Sequence, residues 1–153
     1  MKALTLWQPW ASLVAFGEKK IETRCWSTKY RGELAIHAAQ KEVTILGQSR
    51  NRQEFHREMC RLTAKWEWGD GYWPGVPHYQ SMGCVLCIVK LVDVLPCEHV
   101  RDDLSEQELI FGNYEDGRYA WFLEMVEKFE KPIPAKGNRR LWEWNRDAAR
   151  TGA

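Results

Sequence analysis

The sequence has no hydrophobic run long enough to span a membrane, since the longest apolar run near its start is only WASLVAF and a transmembrane helix needs about 20 residues. Its first residues lack the basic segment and apolar core of a secretion signal. The five cysteines in 153 residues are odd in number and lack the spacing of a disulfide framework, which favours reduced thiols. We therefore expect a cytoplasmic protein without membrane contact.

Motifs for metal, cofactor or nucleophile chemistry are missing as well. Cys84 and Cys87 form a CxxC pair, but they lie in a strand-like segment, where residues three apart point to opposite faces. The zinc-deaminase motif, a phosphate loop with GK[ST], the G-x-S-x-G elbow and HExxH do not occur. The sequence therefore predicts no metal site and no cofactor.

Tryptophan, in contrast, is abundant. Nine tryptophans in one small domain indicate an aromatic-rich core, a stacking surface, or both. Charge is segregated behind a net value of +1: residues 17–31 and 131–150 are rich in Lys and Arg, whereas residues 98–130 are acidic. A polarised surface of this kind can face a polyanion, although solvated faces of mixed sign explain the same counts.

The apolar pattern predicts a single α+β, mainly β domain over residues 1–145. Strands are expected in KALTLW, KIETRCW, CVLCIVKLVDVLPC, RRLWEW and at 34–38, and a short helix in QPWASLVAFGEK that ends at Gly17. RYAWFLEMVEKF fits a strand or a helix. We predict a small barrel of about six strands with two or three flanking helices, an inserted helix and Trp-rich loop at about 41–80, and a loose tail at 146–153.

The segment GEKKIETRCWSTKYRG, residues 17–32, is the strongest candidate for a site. Its rings and cations alternate, since Trp26 and Tyr30 lie among Arg24, Lys29 and Arg31. Cations attract phosphates, and flat rings stack on unpaired bases at about 1–3 kcal/mol each. This combination favours a nucleic-acid or nucleotide site. The alternative is that the lysines only follow a helix end, where cations favour the negative end of the dipole.

The chain resembles the ASCH (activating signal cointegrator homology) domain of the PUA-like superfamily. The matching features are QPWAS at 8–12, GxKxxExR at 17–24, YRG at 30–32 and the strand ending IHA at 36–38. GCVLCIVKLVDVLPC is similar to the family's central strand, and GRYAWFLEMVEKFEKPIPAKGNRRLWEW to its closing half. The likeness covers nearly the whole chain apart from about 41–80 and the tail.

This resemblance implies a PUA-like β-barrel that binds RNA or DNA, or a nucleotide or nucleoside, in a cleft beside the first helix. Cations would contact phosphates, rings would stack bases or wall the cleft, and polar side chains would line its floor. We therefore expect a basic, aromatic-walled cleft. The predicted nucleic-acid-binding residues are Gln8, Trp10, Ser12, Lys19, Lys20, Glu22, Arg24, Trp26, Lys29, Tyr30 and Arg31.

Two other functions stay open. Similar amidohydrolases of the superfamily deacetylate N4-acetylcytidine with a lysine, a threonine and a glutamate. Lys19 matches their lysine, but Glu22 stands where they have threonine. A hydrolase acting on a modified nucleoside or on RNA would use Lys19 and Glu22 as catalytic residues. A protein-interaction module would instead use the Trp-rich loop at 66–79. Nothing in the sequence determines the oligomeric state.

Overall fold

A computed structural model describes residues 1–41, 52–63 and 81–150. In this part of the chain six strands form one sheet that curves into a half-barrel, with the strand order β2-β5-β4-β3-β1-β6. The mainly β class and the strand number predicted from the sequence are therefore confirmed. The strands are β1 (Lys2–Leu6), β2 (Ile21–Arg24), β3 (Gly32–Ala38), β4 (Cys84–Pro96), β5 (Tyr119–Pro134) and β6 (Leu141–Glu143).

Short helices flank the sheet. The predicted first helix is present: it begins after Pro9, whose fixed φ suits a helix start, and ends before Gly17, which adopts the positive φ of 75° that glycine tolerates. The described helices are α1 (Trp10–Ala15), α2 (Arg52–Thr63), α3 (Glu106–Phe111) and α4 (Arg146–Arg150), with 3₁₀ turns at Cys97–His99 and Arg101–Asp103.

The structure differs from the sequence prediction at the C-terminal end. Residues 146–153 were expected to form a loose tail, but α4 occupies the first part of this segment. Arg146 forms two hydrogen bonds of 2.7 Å with the Glu127 carboxylate on β5, and its guanidinium lies 4.8 Å from the centre of the Phe129 ring. These contacts between distant parts of the sequence hold the helix against the sheet, and a five-residue helix has no periodic pattern to reveal it.

The segment RYAWFLEMVEKF, which fitted either a strand or a helix, lies in β5. β5 pairs antiparallel with both β2 and β4, and β1 pairs parallel with β3. Ala120 and Trp121 are both fully buried because helices and sheet cover both faces of the strand at this point. Burial on both faces removes the alternation by which a strand is normally recognised.

A second apolar cluster connects α1, α2 and α3 and forms the floor on which the site is built. Its members are Leu13, Phe55, Met59, Leu62 and Phe111. The predicted helix within 41–80 is represented by α2, whereas the Trp-rich loop at 66–79 lies outside the described residues. Among the described helices none is long and apolar enough to cross a membrane.

Candidate nucleic-acid interface

A cleft of about 970 Å³ opens along β2. Among the described strands β2 pairs with β5 alone and so forms one edge of the sheet, and consecutive residues from Glu22 to Trp26 line the cleft. The remaining walls come from the end of β1, the start of α1, part of α2, and α3 with the loop after it. The described residues that line the cleft are Thr5, Leu6, Trp7, Trp10, Glu22, Thr23, Arg24, Cys25, Trp26, Glu54, Phe55, Arg101, Glu106, Leu109, Ile110, Phe111, Gly112, Asn113, Tyr114, Glu115, Asp116 and Arg118.

Three tryptophans line this cleft: Trp10 and Trp26, which are among the predicted residues, and Trp7, which is not. The Trp10 indole N–H donates to the Phe111 carbonyl at 2.9 Å. Trp26 packs edge-on against buried Trp121, with ring centres 4.7 Å apart, and the Trp121 indole donates to the Trp26 carbonyl. Trp7 is 45% exposed. Two rings are thus held in place by the core, while the third presents a large apolar surface to solvent.

The part of the cleft lining that the structure describes is not basic, which differs from the sequence prediction. The described lining contains three arginines and five carboxylates. The Arg24 guanidinium donates to the Thr5 carbonyl at 2.8 Å, and Arg118 donates to the carbonyls of Thr23 and Asn113. Arg101 pairs with Asp116 at 2.6 Å. The arginines of the wall therefore hold the protein's own backbone and carboxylates, and sequence counts do not reveal such internal pairing.

Lys19, Glu22 and Arg24 form a row of paired charges, with Lys19 behind the cleft wall and the other two on it. The Lys19 side chain is 1% exposed; its ammonium donates to the Ile21 carbonyl and lies 3.6 Å from a Glu22 carboxylate oxygen. The other Glu22 oxygen lies 3.4 Å from Nε of Arg24. Glu22 and Arg24 line the cleft, but Lys19 does not. The predicted contact between Lys19 and phosphate is therefore corrected: the buried ammonium fixes the Glu22 carboxylate from behind.

Gln8 and Ser12 are buried and also lie off the cleft wall. Gln8 is 6% exposed, and its Oε1 accepts the Ser12 backbone N–H at 3.0 Å. This bond satisfies one of the free N–H groups in the first turn of α1. Ser12 is 1% exposed within that helix. Both side chains thus shape the turn into α1, which contradicts their predicted place on the cleft floor.

Four further predicted residues lie elsewhere. Lys20 is exposed beside a separate groove with Glu108, whose carboxylate accepts the Lys20 backbone N–H at 2.6 Å. Arg31 pairs with Asp93 at 3.1 Å, and the Tyr30 hydroxyl donates to the Glu33 carbonyl at 2.5 Å. Lys29, Tyr30 and Arg31 follow β2 and lead into β3, so they leave the cleft. The cleft lining does not include Lys20, Lys29, Tyr30 or Arg31.

Sequence reasoning missed the loop after α3. Asn113 donates its backbone N–H to the Thr23 hydroxyl at 3.3 Å, and Arg118 reaches the Thr23 carbonyl at 3.1 Å, so the loop is bonded to β2. Burial raises the pKa of the Tyr114 hydroxyl, and the carboxylates of Glu108 and Glu22 raise it further. The acidic composition of 98–130 was visible in the sequence, but its approach to β2 depends on the pairing of β2 with β5.

A basic loop, defined as Lys136–Arg140, lies next to the cleft. The Thr5 hydroxyl, on the cleft wall, donates to the Asn138 carbonyl at 3.0 Å. The Arg140 guanidinium lies 5.6 Å from the centre of the Trp26 ring, and Arg140 has a positive φ of 55°, which is uncommon for a residue other than glycine. Lys136, Arg139 and Arg140 are exposed. Within the described chain they form no ion pair.

No group of three or more His, Cys, Asp and Glu side chains is placed to hold a metal ion in the part of the chain that the structure describes. The exposed Cys25 thiol lies on the cleft wall, while the other four cysteines are half-buried or buried.

The curved six-stranded sheet, its short helices and the cleft beside α1 define a small PUA-like domain. The chain belongs to the ASCH domain family, whose profile matches residues 4–133. This PUA-like family is associated with RNA binding.

Two curated relatives are the Activating signal cointegrator 1 proteins of Homo sapiens and Mus musculus. Each is 27% identical over 143 residues, which cover 92% of this chain and 22% of the relative. The chain thus spans about a fifth of the length of these proteins. Its fold is similar to the crystal structure of a mutant of the ASCH protein ZmASCH from Zymomonas mobilis. That match has a TM-score of 0.50, 12% identity, and covers 98% of this chain and 94% of the other.

Proposed function

We propose that this domain binds RNA by taking one unpaired base into the aromatic cleft while the adjoining phosphates follow the basic loop. The observation that supports this is the separation of rings from available cations. The tryptophans line the cleft, whose arginines are engaged internally, whereas the exposed cations lie on the neighbouring loop. A base has a flat face that stacks on an aromatic ring, and its phosphate needs a cation that is free to receive it.

Contacts between side chains connect the aromatic cleft to the basic loop. Thr5 belongs to the cleft wall and bonds the basic loop through Asn138, and Trp26 belongs to the wall and lies under Arg140. A nucleotide with its base in the cleft would therefore have its phosphate near the loop. Hydrolysis is not included in the proposal, because the Lys19 ammonium is buried against Ile21 and Glu22 and does not line the cleft.

The test is intrinsic tryptophan fluorescence titrated with short single-stranded RNA at low and at moderate salt. Binding should quench the fluorescence and weaken as salt rises, because phosphate contacts release counterions. The double variant Lys136→Gln/Arg139→Gln should bind roughly tenfold more weakly at low salt, with a smaller salt slope, since about 0.7 unit of slope is lost per contact with a single strand.

The matched control is Lys90→Gln/Lys131→Gln, which removes the same charge from exposed positions on β4 and β5. It should leave the affinity for RNA within a factor of two, roughly the scatter expected when a distant charge is screened by salt. A flat titration of the unmodified protein at both salts contradicts the proposal. An equal loss in both double variants would indicate nonspecific attraction to net charge and would contradict the role of the loop.

A further inference from the structure

We propose that the cleft selects a planar, positively charged nucleobase, one alkylated on a ring nitrogen, over neutral bases. This inference rests on the proposed function and adds the class of base that the cleft accepts.

The first support is the charge of the walls. Five carboxylates against three arginines leave the described lining with a formal charge of −2. Each arginine already donates to a carbonyl or a carboxylate of the protein. Glu22, at the edge of β2, is 9% exposed and is held by Lys19 and Arg24, so its oxygens have a fixed position. The formal charge of the described lining disfavours a phosphate and favours a cationic base, whereas a neutral base gains only from stacking on the rings.

The second support is the aromatic surface. A cation placed over the face of an indole is attracted by the negative quadrupole of the ring, and tryptophan is the strongest of the aromatic side chains in this respect. Trp7, Trp10 and Trp26 all line the cleft. A base alkylated on a ring nitrogen combines stacking area with a delocalised positive charge, so it gains from rings and carboxylates together.

The third support is a cationic side chain of the protein itself that already lies over one of the rings of the cleft. The Arg140 guanidinium, a planar and delocalised cation, lies over the ring of Trp26 at 5.6 Å although Arg140 has to adopt a positive φ. The surroundings of this ring thus already accommodate a flat cation. The exposed Glu106 also lines the cleft and adds negative charge there, whereas Asp116 is paired with Arg101.

The experiment compares 1-methyladenosine, which is cationic at neutral pH, with its neutral isomer N6-methyladenosine. The neutral forms of the two nucleosides are isomers that differ in the position of the methyl group, and 1-methyladenosine carries one further proton at neutral pH, which gives it its charge. Isothermal titration should give the cationic isomer about a tenfold higher affinity at low salt, as expected for a cation over tryptophan in a partly desolvated site. The preference should shrink as salt rises.

Site and variants are checked in the same experiment. Bound 1-methyladenosine should slow alkylation of the exposed Cys25 thiol, which lies on the cleft wall. Trp7→Ala should remove most of the preference and Trp7→Phe should retain part of it; Trp7 is 45% exposed, so neither change empties the core. Glu106→Gln should reduce the preference about twofold by removing one negative charge from the lining, whereas Glu130→Gln, at an exposed position of β5, should leave it unchanged.

The outcomes separate the two levels of inference. Equal affinity for the two isomers, in a protein that still binds RNA, overturns the selection of cationic bases and leaves the proposed function intact. If the protein binds neither of the nucleosides and does not bind RNA, both the selection of cationic bases and the proposed function are overturned. Tighter binding of a peptide containing trimethyl-lysine than of 1-methyladenosine assigns the cleft to a protein partner and overturns the inference. Preference for 1-methyladenosine, lost in Trp7→Ala but not in Glu130→Gln, supports it.

Discussion

Two parts of the molecule are rich in cations and use them in opposite ways. In the segment 19–24, the Lys19 ammonium is buried, and Arg24 donates to the Thr5 carbonyl and forms an ion pair with Glu22. In the basic loop, Lys136, Arg139 and Arg140 are exposed and form no ion pair within the described chain. The first group maintains the wall of the cleft, and the second is the group that we propose contacts the phosphates of RNA.

The difference shows that the number of cations in a segment does not identify a phosphate site. A lysine or arginine that is desolvated and paired has little attraction left for a ligand, while its loss exposes a buried partner to an unfavourable environment. An exposed cation contributes little to stability but keeps its charge for binding. Substitutions in the two parts should therefore change different properties.

The largest effect is expected for Lys19→Met, which keeps most of the side-chain volume and removes the ammonium. Glu22 would lose its partner at 3.6 Å, and the Ile21 carbonyl would lose its donor. Removing one member of a buried ion pair costs about 3–5 kcal/mol. Because Arg24 still lies near Glu22, we expect the lower end of this range, measured as the free energy of unfolding in urea.

Lys20→Met is the matched control, since Lys20 is the next residue and is exposed. Its backbone N–H, which donates to Glu108, is unaffected by the change. The free energy of unfolding should stay within about 0.5 kcal/mol. If Lys19→Met were as stable as the unmodified protein but no longer bound RNA, Lys19 would act on the ligand directly and the contrast between the two parts would be wrong.

A smaller effect is expected for Gly137→Ala, which adds one methyl group to the basic loop without changing its charge. The new Cβ would clash with the ring of His37 and lie 3.0 Å from the Thr5 hydroxyl. His37 is 1% exposed, so the ring has no room to move and the loop has to shift. Overpacking of this kind costs about 1–3 kcal/mol. Affinity for RNA should fall as well, because Arg139 and Arg140 move with the loop.

Gly17→Ala separates displacement of the loop from the general cost of replacing a glycine. Gly17 has a φ of 75° and open space around its Cβ position, so alanine there is strained but does not clash. It should cost roughly 1 kcal/mol and leave RNA binding unchanged. Equal RNA affinity in both variants would show that the position of the basic loop is unimportant for binding.

Local patterns predicted much of the fold. The α1 helix between Pro9 and Gly17, the β4 strand and the strand number follow from side-chain periodicity and from residues that begin or end helices. The likeness of QPWAS and GxKxxExR to the ASCH domain predicted the family that the profile match shows. Of the rings predicted for the cleft, Trp10 and Trp26 line it and Tyr30 does not, while Trp7 lines it without having been predicted.

Burial and long-range pairing could not be predicted in the same way. Lys19 and Lys20 are neighbours of identical type, yet one is buried and the other is exposed. This distinction depends on β2 pairing with β5 about a hundred residues later in the chain. The approach of Arg118 to Thr23 depends on the same pairing. The adjacency of the basic loop to the cleft depends on Thr5, which contacts Asn138 from the other end of the sequence.

The smallest effect is expected from pH and tests whether the basic loop depends on the buried ring beneath it. Burial lowers the pKa of His37 below its ordinary value of 6.5, although its bond to the Ala135 carbonyl acts in the opposite direction. Nε2 is bonded to that carbonyl at 3.0 Å, and Nδ1 is buried without a partner, so a proton on Nδ1 would be unsatisfied.

Above pH 6.5 the ring is neutral in both the folded and the unfolded state, and the contribution of His37 to stability is fully present. As pH falls below 6.5 the unfolded chain takes up the proton first, so the free energy of unfolding decreases. Urea unfolding at about pH 7.5 and 5.5 should therefore show a loss of stability that His37→Gln reduces, because glutamine can still donate to Ala135 but does not titrate. An identical pH dependence in both proteins would assign the loss to other groups and remove His37 from the support of the basic loop.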